Sequence, residues 1–352
     1  MPATPTPMID TSGIETPPAP EEVRAFRTAT RGVPGYPKPG TRVRSTIARV
    51  IVGVLFVGIA AILIAMGLEA QADPNPSDEG GGAVFFVLAF IPLLFAVLVI
   101  AKIQLRDPYA KFLRLDRFAR SHALRYLPIT GKPGYPGTLF HKRAGGPAFD
   151  RLVGSERRPL EIANYRYALF GKSMRSVTWG YLVLRMDRTL PNMVLHSSRN
   201  ERARRLVSTE VIKSQSLSLE GDFDKHFKLY VPHGYERDAL YVFTPDLMGL
   251  VIDKTGDFDI EIVDEWIIFY SPKAFNLLDT TTLTRLFGIA DILGAKFHRQ
   301  SDRYADDREG TTFAENTVGS RGRRLTVVFP YVAGGFVVLG TFILGQVLRS
   351  FI

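Results

Sequence analysis

The sequence contains no cysteine, which excludes disulfides, thiolate-ligated metals and cysteine nucleophiles. Histidine is scarce, with six in 352 residues (His122, His141, His196, His226, His233 and His298), and no two stand at a helical metal spacing around a glutamate. No Gly-rich phosphate loop ends in Gly-Lys-Ser/Thr, and no Gly-x-Ser-x-Gly nucleophile turn occurs. The triplet Gly171-Lys172-Ser173 lacks the upstream glycine of such a loop and reads as a turn between strands. Charge is also missing over three long stretches, Val50–Leu68, Ala83–Ala101 and Leu325–Leu348.

Those uncharged stretches are the most informative part of the chain. Nineteen residues at 1.5 Å each cover roughly 28 Å, close to the hydrocarbon thickness of a bilayer. Neither of the first two shows the polar stripe expected of a helix on a globular core. The sequence therefore predicts three transmembrane α-helices, at about 47–68, 83–102 and 325–348. The first run starts behind a long polar stretch, so no cleavable signal is expected. The glycines and Pro330 of the third run are compatible with insertion.

The net charge of +9 raises the question of nucleic acid. Its location answers it, because the cations gather beside the apolar runs, where basic residues set orientation. Residues 1–49 hold seven Lys or Arg and residues 102–125 hold seven more, whereas 69–82 hold none and four acids. The expected topology has the N-terminus and residues 103–324 in the cytoplasm, an acidic hairpin loop outside, and an extracytoplasmic C-terminus at the plasma membrane. No nucleic-acid partner is expected. The three apolar runs carry no charged residue, which disfavours a transporter. Ala61 with Ala65 and Thr341 with Gly345 are small pairs spaced for helix association.

The polar regions divide further. Residues 1–45 form a Pro/Thr-rich stretch, with nine of the 23 prolines before residue 41, and are expected to be a disordered cytoplasmic tail. Residues 103–134 read as a basic juxtamembrane helix and linker. Within it Lys111, Arg114, Arg117 and Arg120 recur every three residues. Two readings stay open: contact with lipid headgroups, or a helix packed on the soluble domain.

Residues 135–300 read as an α+β cytosolic domain, mostly antiparallel sheet with helices. A hairpin is expected from Glu161–Phe170 and Thr178–Asp187, with strands at Asn192–His196 and Phe227–Val231. Phe258, Ile260 and Ile262 alternate with Asp259 and Glu261 as in a half-buried strand, and Glu265–Tyr270 is expected to return beside it. Helices are expected after Thr244-Pro245 and from Thr280 through Phe297. Trp179, Tyr181, Trp266 and Tyr270 sit at strand spacing and read as core. Residues 301–324 are a charged linker.

Glu220, Asp222 and Asp224 form an acidic cluster, but their spacing misses a calcium loop. No catalytic residue, metal ligand or cofactor is assigned.

Several segments resemble a family of uncharacterised actinobacterial integral membrane proteins with a cytosolic domain of unknown function. They are RFARSHALRYLP (117–128), YPGTLF (135–140), EIANYRY (161–167), TWGYLVLRMDRTLPNMVLHS (178–197), LSLEGDFDKHFKLYVPHGYERDALYVFTPDLMGLVID (217–253) and FDIEIVDEWIIFYS (258–271). The resemblance implies a plasma-membrane protein with a helical hairpin ahead of a cytosolic α+β domain, and no catalytic residue.

The expected function is a membrane-anchored scaffold or regulatory module, with the lipid bilayer and a protein partner or second copy as its contacts. The alternative is an enzyme acting on lipid or an envelope precursor at the inner leaflet, motivated by the basic helix and the acids at 220–224.

Overall fold

A computed structural model describes residues 9–37, 41–72, 81–104, 108–141, 145–156, 159–169, 175–200, 215–302, 304 and 318–325. The chain divides into two compact units.

The first unit, Ser12–Phe118, is helical. It comprises α1 (Ser12–Glu15), α2 (Pro20–Ala29), α3 (Thr41–Ala72), α4 (Gly81–Gln104) and most of α5 (Pro108–Ser121). Residues 12–15 and 20–29, expected within a disordered tail, are therefore helical. Pro20 opens α2, Glu22 reaches back to the Ala19 N–H at 2.7 Å, and Val23 is buried. Edge-to-face rings join this segment to α5, Phe26 on Tyr36 and Tyr36 on Phe112, each at 5.8 Å. That apolar anchorage is what the proline-rich composition concealed.

Among the described residues one helical segment, Val50–Gln71, is long and apolar enough to cross a membrane, and a shorter apolar one covers Ala83–Leu98. The third apolar run lies outside the described residues apart from Leu325. α3 and α4 pack along a seam of small residues. Gly53, Ala60 and Gly67 are buried on α3, and Ala89, Pro92 and Ala96 on α4, with Phe56 on Phe95 at 4.7 Å. Small side chains let two helices approach closely. Ala61 and Ala65, the pair picked from the sequence, are exposed instead, and Thr341 with Gly345 lies outside the described residues.

The second unit carries an α+β fold with a wholly antiparallel sheet. Its strands are β1 (Arg125–Thr130), β2 (Gly145–Val153), β3 (Leu160–Leu169), β4 (Arg175–Ser197), β5 (Ser216–Leu217), β6 (Phe227–Tyr230) and β7 (Asp259–Ser271). The order is β1-β2-β3-β4-β6-β5, with β7 on the other edge of β4. The sheet begins at Arg125, inside the region expected to be helix and linker.

The 23-residue β4 organises the unit: its first half pairs with β3, its last residues with β6, and β7 follows most of its length. The expected hairpin is present as β3–β4. Asn192–His196 is not a separate strand but the end of β4, and Glu265–Tyr270 is not a return strand but the second half of β7.

One break in register shapes the sheet. Arg185 pairs with Trp266 and Leu190 with Asp264, so four residues of β4 oppose only Glu265 on β7. At that point Asp264 has φ 53, in the left-handed region that non-glycine residues seldom occupy. Residues 261 and 270 of a straight strand would stand about 30 Å apart. Here the Tyr270 hydroxyl donates to Glu261 Oε2 at 2.7 Å, so β7 turns a sharp corner.

The helices are α6 (Phe223–His226), α7 (Glu236–Val242), α8 (Pro245–Thr255), α9 (Thr280–Gly288) and α10 (Gly294–Ser301). Asp279 caps α9 by accepting from the Thr282 N–H at 2.9 Å, and a single π turn, Ile289–Leu293, joins α9 to α10. Pro245 opens α8 as expected, but the Thr244 hydroxyl accepts from Gln300 at 3.3 Å rather than capping the helix.

The α3–α4 seam makes a prediction. Ala60→Leu should destabilise the hairpin by roughly 1–3 kcal/mol through overpacking. Ala61→Leu, on an exposed position, should leave thermal unfolding of the detergent-purified chain unchanged. Equal effects of the two would refute the seam.

Candidate functional site

A set of buried titratable side chains lies where the segment 135–141 packs against the sheet. That segment ends in a short 3₁₀ turn, Thr138–His141, which drops Leu139 and Phe140 into the core. Phe140 is surrounded by tyrosines, with ring centroids of Tyr181 at 5.0 Å, Tyr165 at 5.3 Å, Tyr135 at 5.9 Å and Tyr270 at 6.1 Å. Trp179 and Tyr181 are buried in this core as expected, and Trp266 is packed on it half-buried.

Two buried glutamates organise the polar half. Glu161 leaves β3 on the face that also carries Ala163, Tyr165 and Tyr167, and is 1% exposed. Arg151 of β2 grips it with both a 2.7 Å and a 2.5 Å bond, the Tyr135 hydroxyl donates at 2.7 Å, and the Tyr181 hydroxyl donates to the other oxygen. Each carboxylate oxygen accepts two hydrogen bonds. Arg151 also donates to Thr130 at 2.8 Å, which ties β1 into the network.

Glu261 of β7 is 3% exposed and has no cation bonded to it among the described residues. Its partners are the Thr138 N–H and hydroxyl, each at 2.8 Å, and Tyr270. Burial pushes its carboxyl above the usual carboxylate range, and the bonds from Tyr270 and Thr138 offset part of that. Burial, then the neighbouring glutamates, pushes the Tyr181 and Tyr270 hydroxyls well above the usual phenol range.

Gly137 is required here, because a Cβ at that position would run into the Tyr270 hydroxyl and Ile268 Cδ1. The strand pattern that predicted Asp259 and Glu261 on a solvent face is thus corrected. Both faces of β7 are covered, and the acids are buried with partners.

A second buried pair lies at the start of β7. Asp259 accepts from the Ser197 N–H at 2.9 Å and sits 3.1 Å from His196 Nδ1. Ser197 Oγ donates to the Gly256 carbonyl at 2.5 Å, and Asn200 to the Asp257 carbonyl at 2.6 Å. Burial raises the Asp259 carboxyl, with His196 and Ser197 pulling the other way. These contacts staple the turn between α8 and β7 to the end of β4.

Every carboxylate oxygen of Glu161 and Glu261 accepts from a protein donor, so the chemistry that cluster supports is holding, whereas Asp259 Oδ2 is buried without a hydrogen-bond partner among the described residues. Proton transfer by Glu161 would require breaking bonds that fix three strands and a loop.

The residues singled out from the sequence are used differently. Arg114 donates through Nε to the Ile14 carbonyl at 2.5 Å, and Arg117 pairs with Glu22 at 2.6 Å. These two cations hold the N-terminal helices. Lys111 is half-buried and Arg120 exposed.

Of the acidic cluster, Asp224 accepts from the Leu219 N–H at 3.1 Å and from the Ser218 hydroxyl, Asp222 stands 3.9 Å from His226, and Glu220 is exposed. Among the described residues no group of three or more acids and histidines is arranged to hold a metal ion. Asp187 pairs with His298 at 3.2 Å and His233 with Glu236 at 3.3 Å, so those histidines serve surface pairs.

Comparison with protein-family models, with curated proteins and with solved structures gives no match.

Two measurements on the purified full chain test the network. Arg151→Ala should cost about 3–5 kcal/mol, because it leaves a buried carboxylate uncompensated, and adding Glu161→Gln should restore most of the loss. An additive double variant would show that the pair is not coupled. For Glu261, whose folded value is raised, the stability contribution is full below its ordinary value of 4.5 and declines as pH climbs through the folded value. Glu261→Gln, always neutral, should therefore gain on the wild type in thermal unfolding as pH rises from 4.5 to about 8. A constant difference over that range would exclude the assignment.

Proposed function

We propose that this chain is a membrane-anchored scaffold or regulatory module of the plasma membrane, with its α+β domain on the cytoplasmic side. The observation that carries the reading is the exposed apolar surface of the α3–α4 hairpin. Val54 is 66% exposed, Val87 70% and Phe90 64%. Uncovered apolar surface of that extent is matched to lipid rather than to water. The uncharged run Ala83–Ala101 lies wholly inside α4, so the second helix is assigned to the bilayer with the first. The run from Leu325 is assigned as a third span, which sets the domain between two spans.

Cations at 1–49 and 102–125, against the acids of 69–82, orient the hairpin with its loop outside. Membership of the actinobacterial family is part of the same proposal. An architectural role is supported by the domain's buried acids, which are committed to holding strands and turns together.

The cysteine-free sequence makes the test direct. Single Ser77→Cys and Ser350→Cys variants should react with an impermeant maleimide on intact cells, and Asp253→Cys only after permeabilisation. Labelling of Asp253→Cys from outside would overturn the orientation. In-cell crosslinking should recover a reproducible protein partner or a homo-oligomer, and repeated recovery of monomer alone would overturn the scaffold reading.

A further inference from the structure

The corner in β7 opens a cavity of about 520 Å³ lined by Thr189, Asp264, Glu265, Val318, Arg323 and Arg324, a volume in the range of small-ligand sites. Its charges are not interchangeable. Arg324 forms a two-pronged pair with Asp264 at 2.8 and 2.9 Å, which neutralises both. Arg323 spends its Nε on the Val318 carbonyl at 2.9 Å, leaving its other guanidinium N–H groups to the cavity it lines. Glu265 is half-buried, and no ion pair to it is formed among the described residues. Among the described residues the cavity thus offers one free cation and one free anion beside the neutral Arg324–Asp264 pair.

The wall is built rather than incidental. Leu325 N–H donates to Asn192 at 2.9 Å, and Asn192 in turn donates to the Ile262 carbonyl at 2.8 Å. Gly322 lies so close to Tyr235 and Val318 that a Cβ there would meet both. The segment bearing the two arginines is thereby fixed to the sheet.

We propose that this cavity binds an amine–phosphate zwitterion, with the phosphate on Arg323 and the primary ammonium on Glu265. The proposal deepens the membrane reading and rests on it for its source. Arg324 immediately precedes the uncharged run from Leu325, so insertion of that run puts the cavity at headgroup level, where a phosphoethanolamine headgroup is the matching ligand. A purely anionic headgroup would satisfy Arg323 but face Glu265, and a trimethylated amine cannot donate hydrogen bonds to that carboxylate.

The test uses the full chain in mild detergent, with retained lipid read by native mass spectrometry. Phosphatidylethanolamine should be retained about tenfold over phosphatidylcholine and phosphatidylglycerol, the factor expected from one such pair. Glu265→Gln and Arg323→Gln should each abolish the preference while leaving thermal unfolding unchanged. Phosphatidylglycerol retained as well as phosphatidylethanolamine, or a preference that survives Glu265→Gln, would overturn the proposal.

Alkaline extraction of membranes reports separately on the anchoring. If it releases the chain, the membrane reading fails, and titration with glycerophosphoethanolamine decides the cavity. Saturable binding lost in both variants supports the zwitterion site, and no binding overturns it.

Discussion

The corner at Asp264 is the constraint on which the second unit depends. A left-handed backbone at an aspartate costs about 1 kcal/mol or more and persists only where its surroundings enforce it. Here the enforcement is visible: the two-pronged Arg324 pair holds the Asp264 carboxylate, and β4 inserts extra residues to follow the bend. The bend brings Glu261 within a hydrogen bond of Tyr270 and places Glu265 in the wall of the cavity beside it. Without it, β7 would be a flat edge strand with two exposed acids, as its sequence suggests.

The two buried glutamates solve one problem in different ways. Glu161 keeps its charge company with Arg151, so its environment is costly only if a partner is removed. Glu261 is surrounded by neutral donors, so burial dominates and favours the protonated form. Adjacent parts of one network therefore differ in kind, one held as an ion pair and the other by neutral donors alone. Both join the 135–141 segment to the sheet, Glu161 through Tyr135 and Glu261 through Thr138.

Much of the fold is legible in the chain. The β3–β4 hairpin follows from aromatic and β-branched runs flanking Gly171-Lys172-Ser173, and α8 and α9 from Thr244-Pro245 and the Thr280 region. The misreadings share a cause: local patterns do not report tertiary cover. Asp259 and Glu261 alternate with isoleucines as solvent-facing residues do, and only the packing of a second layer reveals them as core. A signal was present for Glu161, because it shares a strand face with Tyr165 and Tyr167, an odd position for a solvated acid. The helix at 20–29 was hidden by proline content, although Pro20 followed by two acids is an ordinary helix start. Nothing local announces that Arg114 and Arg117 are occupied by residues about a hundred positions earlier.

The hydrogen bond from Leu325 to Asn192 has a mechanical meaning. Leu325 is bonded directly to the last third of the unit's longest strand. Tension applied beyond that point loads β4 and β7 together through Asn192 and Ile262, along with the ion pair at the corner. Several bonds then share the load in shear instead of yielding one by one. Residues 318–325 thus act as a stiff coupling, able to transmit displacement into the strand pair that carries the cavity.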